Sequence, residues 1–121
     1  MRAADWGNRD DAPLPGDFDP TEGAAWGDFN GDGYLDVYLA NHNDWTTYEA
    51  FRDHLYINDG PPGFTYTDAS GPSGVSAHLL HGRGVAPADY DGDGDTDIFV
   101  TNYVLDRDLL WENRGGDERD L

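Results

Sequence analysis

The stretch Gly27-Asp28-Phe29-Asn30-Gly31-Asp32-Gly33-Tyr34-Leu35-Asp36, running directly into Val37-Tyr38-Leu39-Ala40-Asn41, decides how this chain is read. Side-chain oxygens stand at loop positions one, three, five and nine: Asp28, Asn30, Asp32 and Asp36. A second copy supplies Asp89, Asp91, Asp93 and Asp97 at the same spacing, followed by Ile98-Phe99-Val100-Thr101-Asn102. Gly33 and Gly94 occupy position six, where a sharp reversal calls for φ > 0. The residues at position seven, Tyr34 and Asp95, can each add a backbone carbonyl. Oxygens in this pattern suit Ca²⁺, a hard cation that takes about 6–8 oxygen ligands and tolerates irregular geometry. Without a cation the carboxylates would repel one another. The expectation is therefore two Ca²⁺ sites, one per loop.

Competing loop types fit less well. An EF-hand or a dockerin-type loop needs a bidentate Glu at position twelve, where this chain has Leu39 and Val100. The residues after each loop are β-branched and aromatic, which predicts strands rather than helices. Thrombospondin type 3 repeats normally carry cysteines, and this chain has none. Solvated Asp-Gly turns explain one such loop, but not two in matching context.

The repeat extends beyond the loops. Gly23 to Phe29 matches Gly84 to Tyr90, and Val37 to Asn41 matches Ile98 to Asn102, both at the offset that carries Asp28 onto Asp89. After a shorter connection in the second copy, Leu55-Tyr56-Ile57-Asn58-Asp59-Gly60 matches Leu110-Trp111-Glu112-Asn113-Arg114-Gly115. The first copy alone continues through the turn Gly60-Pro61-Pro62-Gly63 into a fourth strand, expected over Phe64 to Thr67. Each full unit reads as four short strands with the acidic loop joining the first to the second.

These residues resemble the FG-GAP/VCBS repeat family, the calcium-loop blades of integrin-alpha-type β-propellers. The resemblance covers residues 22 to 116, and the string GDFNGDGYLDVYLAN followed by HLYINDG carries it. It implies an all-β fold of four-stranded antiparallel propeller blades, here two, the second incomplete, within a larger or oligomeric propeller-like assembly. The organisation expected is an N-terminal segment over 1–21, read as a remnant or donor fourth strand, a first blade over 22–82, and a second blade over 83–121. Residues 2–7 fall near the place, relative to the metal loop, that residues 66–71 occupy before the second loop. A head-to-tail assembly, as ring or filament, is one expectation from this; an excerpt of a longer single-chain propeller is the other.

Composition narrows the partners. The formal charge is −18 over 121 residues, which argues against nucleic acid and anionic membranes. All seven basic residues are Arg. The absence of Cys removes disulfides and thiol catalysis. No stretch is apolar and long enough to span a bilayer, and residues 1–13 lack the form of a signal peptide. Loops of modest affinity match the calcium level outside the cell, so a secreted, cell-surface or periplasmic setting is expected.

Other residues offer less chemistry. His78 and His81 are spaced as a metal pair, yet no acid follows them at a suitable distance, and they read as polar lining. Asp53-His54 and Asp106-Arg107-Asp108 read as solvated loop charges. Trp26 and Trp111 fall in strands and read as core, whereas Trp45 and Tyr48 occupy the long second connection as candidate ligand-binding residues. No Ser stands in a nucleophile-elbow sequence, and the chain is not expected to be an enzyme. The function expected is a calcium-dependent structural or adhesion module that contacts proteins or glycans. The alternatives are a lectin, a subunit of an extracellular filament, and a non-catalytic propeller domain of a secreted hydrolase or lyase.

Overall fold

The computed structural model describes residues 20–43, 50–103 and 106–115. They form seven strands: β1 (Thr21–Gly27), β2 (Asp36–Asn41), β3 (His54–Asn58), β4 (Tyr66–Asp68), β5 (Gly82–Ala88), β6 (Asp97–Asn102) and β7 (Leu109–Trp111). The first four make one antiparallel sheet in the order β1-β2-β3-β4, and the last three make a second, β5-β6-β7. The architecture is all-β, with two open sheets that repeat the same meander. Each register is preserved in the repeat: Ala25 faces Tyr38 and Tyr38 faces Leu55 in the first sheet, as Ala86 faces Phe99 and Phe99 faces Leu110 in the second. A register shift between Thr21 and Gly23 recurs between Gly82 and Gly84.

The strands follow from the sequence that builds them. In β2 the alternating side chains fall on two apolar faces, and all six residues are buried, as befits a strand covered on both sides. One face, with Tyr38 and Ala40, joins Phe29, Leu55 and Ile57 against Ile98 and Val100 of the second sheet. The other face, Val37 and Leu39 with Tyr56, packs with Tyr66. The core that decides the fold therefore lies between the two sheets. Their backbones approach most closely where β5 crosses β1, for a Cβ on Gly23 would stand 2.0 Å from the Arg83 carbonyl oxygen.

Three features differ from the expectations drawn from sequence. The fourth strand spans Tyr66–Asp68 rather than starting at Phe64, because Phe64 ends the preceding turn at φ 52°. The chain then makes two helical turns, α1 (Ser70–Ser73) and a 3-10 turn at Val75–Ala77, and these carry Val75 into the core between the sheets. Trp26, expected in the core, is 55% exposed and meets the edge of Tyr66. It stands on the β1 face turned away from the second sheet, since Ala25 is the residue of that strand that is buried. Trp111 is half-buried and donates its indole N–H to the Tyr38 hydroxyl at 3.0 Å. Trp45, Tyr48 and the segment 1–19 lie outside the described residues.

Candidate metal centre

Each acidic loop is a turn closed on its own first aspartate. In the first loop Asp28 Oδ1 accepts from the Gly31 and Asp32 amides, and Oδ2 accepts from Gly33. In the second, Asp89 does the same for Gly92, Asp93 and Gly94. Asp32 accepts from the Tyr34 amide at 3.0 Å, and Asp93 from the Asp95 amide at 2.9 Å. The glycines at positions four and six take φ of 75° and 91° in the first loop and 75° and 93° in the second. A left-handed backbone at these points curls the chain, and in the second loop the side chains at positions one, three and five come together.

The ninth residue closes the loop from the strand side. Asp36 is fully buried and accepts from the Phe29 amide with one oxygen and the Asn58 amide with the other, at 2.8 and 2.9 Å. Asp97 repeats this with Tyr90 and Asn113 at 3.0 and 2.7 Å. Each oxygen so engaged keeps a second lone-pair direction. In the second loop one oxygen from each of Asp89, Asp91, Asp93 and Asp97 lies within 4.8 Å of the others. Two ligands held about 2.4 Å from one Ca²⁺ lie at most about 4.8 Å apart, so this donor set fits such an ion. The first loop differs in one donor, for Asn30 replaces a carboxylate and its amide donates to Asp32 Oδ2 at 3.2 Å.

The electrostatics agree with an anionic cavity. Burial pushes Asp36 up to about 6, against the pull of the Asn58 and Phe29 amides, and the charges of Asp32 and Asp28 add to the rise. Desolvation within the loop and the neighbouring Asp93 charge hold Asp91 above the usual carboxylate range. Asp89 is held below it, chiefly by the Gly94 amide.

Two residues matter here that the sequence reading passed over. Asn58 donates its side-chain amide to the Leu35 carbonyl and accepts from the Gly60 amide. Asn113 does the same with Thr96 and Gly115, and also reaches the Phe29 carbonyl in the loop of the other unit. The signal was present in the matching Asn-x-Gly at Asn58 and Asn113, although its role appears only once β3 and β7 are laid beside the loops.

The other candidates separate. His81 pairs with Asp106 at 2.7 Å through its ring, while His78 stacks on Trp111 and meets Arg107. The two histidines thus take different partners. Asp106 is held below the usual carboxylate range by the His81 ring. Asp53, read as a solvated loop charge, is instead buried, accepting from the Tyr38 hydroxyl and the Asn41 amide. Its burial comes from the tight approach of Gly82 in the second sheet, whose Cβ would lie 3.2 Å from Asp53 Oδ1.

Tandem meanders of this kind, each with an acidic loop between its first two strands, are consistent with blades of a β-propeller-type module. The model of the FG-GAP-like repeat matches residues 28–100, more than half of the chain, and the chain belongs to that family. Searches of curated proteins and of solved structures returned no match.

Proposed function

We propose that this chain is a calcium-clipped scaffold, two blades of a propeller-type module whose surfaces bind protein or glycan partners outside the cell. The observation that carries this reading is the convergence of four carboxylates in the second loop within the span that one Ca²⁺ can bridge. In the first loop the residues that would hold an ion are Asp28, Asn30, Asp32 and Asp36; in the second they would be Asp89, Asp91, Asp93 and Asp97, with the carbonyls of Tyr34 and Asp95 as further donors. The ion would neutralise the loop charge and brace the joint between the first and second strands of each blade. Phe29 explains why that joint matters, because its side chain is 3% exposed between the two sheets while its backbone amide is tied to Asp36. An ordered loop therefore holds a core residue in place. The family is generally a structural and binding fold and occurs typically in extracellular or secreted proteins, which supports a non-catalytic role there.

Calorimetric titration with Ca²⁺ tests the reading. It requires two sites in the wild type and one in Asp93→Ala; heat that fits no site at millimolar Ca²⁺ would overturn it.

A further inference from the structure

The first acidic loop carries a reactive pair. Asn30 alone among the asparagines of the chain is followed by Gly. Gly31 has no side chain to screen its backbone nitrogen from the Asn30 amide, and a Cβ there would meet no atom within 4 Å. In the closed loop the Gly31 N–H donates to Asp28 Oδ1 at 2.9 Å. Asn30 is tied as well, for its Nδ2 donates to Asp32 Oδ2 at 3.2 Å and its Oδ1 accepts from the Asp32 amide at 3.3 Å. These bonds fix both the nitrogen that could attack and the carbon it would reach. Two of them end on Asp28 and Asp32, exposed carboxylates whose charges repel within one turn. The closure that protects the pair is therefore one that the loop's own charge works against.

The second loop shows what a product would look like. There Asp91 stands where the first loop has Asn30, and the bonds are the same: the Gly92 N–H donates to Asp89 Oδ1 at 2.9 Å and the Asp93 amide to Asp91 Oδ1 at 3.3 Å. A carboxylate at position three thus fits this backbone without rearrangement. We propose that Asn30 is a site of spontaneous deamidation, which proceeds when the first loop opens and which bound calcium restrains by holding the loop closed. The Gly31 nitrogen gives up its proton and attacks Asn30 Cγ; the new C–N bond replaces the bond to the side-chain nitrogen, which leaves with that proton as ammonia. Water then opens the resulting five-membered imide at either carbonyl. One product is an aspartyl residue, which gives the first loop the donor types of the second. The other is an isoaspartyl residue, whose extra main-chain methylene carries positions five and nine out of register. Restraint by calcium rests on the calcium reading above, whereas the reaction itself does not.

The test ages the full chain at mildly alkaline pH, in chelator and in Ca²⁺, and weighs its digested peptides by mass spectrometry. In chelator the peptide containing Asn30 should gain mass as the amide becomes an acid. Asn30→Gln, whose longer side chain would have to close a larger ring, should show no such gain. Because only the open loop reacts, Ca²⁺ at about 100 Kd should slow the gain by up to about a hundredfold. Ion exchange should then separate the aged protein by its added charge, with an aspartyl fraction that titrates like Asn30→Asp and an isoaspartyl fraction that has lost the first site. No mass gain in chelator would overturn the proposal. So would a gain that Ca²⁺ leaves unslowed although calorimetry counts two filled sites. A gain in a chain that takes up no Ca²⁺ would leave the reaction standing and overturn the calcium reading instead.

Discussion

At the scale of single residues, the two loops are near copies in geometry and unequal in charge. The amide contacts to Asp28 and Asp89 agree to about a tenth of an ångström, yet the first loop has Asn30 where the second has Asp91. Affinity in such loops rises with the number of charged ligands. The second site should therefore bind Ca²⁺ more tightly than the first, and Asn30→Asp should narrow the gap, as read by calorimetry. Asn113→Ala should cost about 1–3 kcal/mol in a urea melt, because the Thr96 and Phe29 carbonyls and the Gly115 amide all lose a partner. The convergence of Asp89, Asp91, Asp93 and Asp97 was legible in the sequence because spacing alone sets which loop side chains meet. The role of Asn113 was not, since its contact with Phe29 joins residues far apart in the chain.

At the scale of elements, the packing of β1 on β5 depends on a missing side chain. Gly23→Ala would drive a Cβ into the Arg83 carbonyl, a backbone atom that cannot rotate away. Its equivalent, Gly84→Ala, would meet Thr101 Oγ1 at 2.7 Å, a side-chain atom that can turn aside at the expense of its bond to the Gly84 amide. Thermal unfolding should show a loss of about 1–3 kcal/mol for Gly23→Ala and a smaller one for Gly84→Ala. The strands themselves were readable from β-branched and aromatic runs. The helical turns after β4 were not, because Ser70 to Ala77 holds no periodic apolar pattern and folds around contacts with β3.

At the scale of the whole molecule, the two sheets are joined by a polar bridge inside an apolar core. Trp111 donates to the Tyr38 hydroxyl, and Tyr38 donates to Asp53. Burial raises the Asp53 carboxyl above its ordinary 3.8, against the pull of Tyr38, Asn41 and His54. The folded chain thus holds this proton more tightly than the unfolded chain does. Its contribution to stability is full below pH 3.8 and is lost as pH rises through the raised folded value. Relative to Asp53→Asn, the wild type should lose stability over that rise, measured as the difference between their unfolding free energies at each pH. Calcium should act on the whole fold as well. Saturation at about 100 Kd adds about 2.7 kcal/mol per site, so the melting temperature should rise with Ca²⁺ and fall with chelator. An unchanged melt in excess chelator would contradict that.

By itself the sequence determined the repeat, the strand-forming runs and the convergence of the second loop's carboxylates, because these depend on local spacing and backbone preference. The tertiary structure alone decided that Phe29 is buried while its equivalent Tyr90 is 55% exposed, and that Leu55 is 2% exposed while Leu110 is 48% exposed. Equivalent residues of the two units differ because the second sheet covers the first, and which face of a sheet is covered is a property of its neighbour.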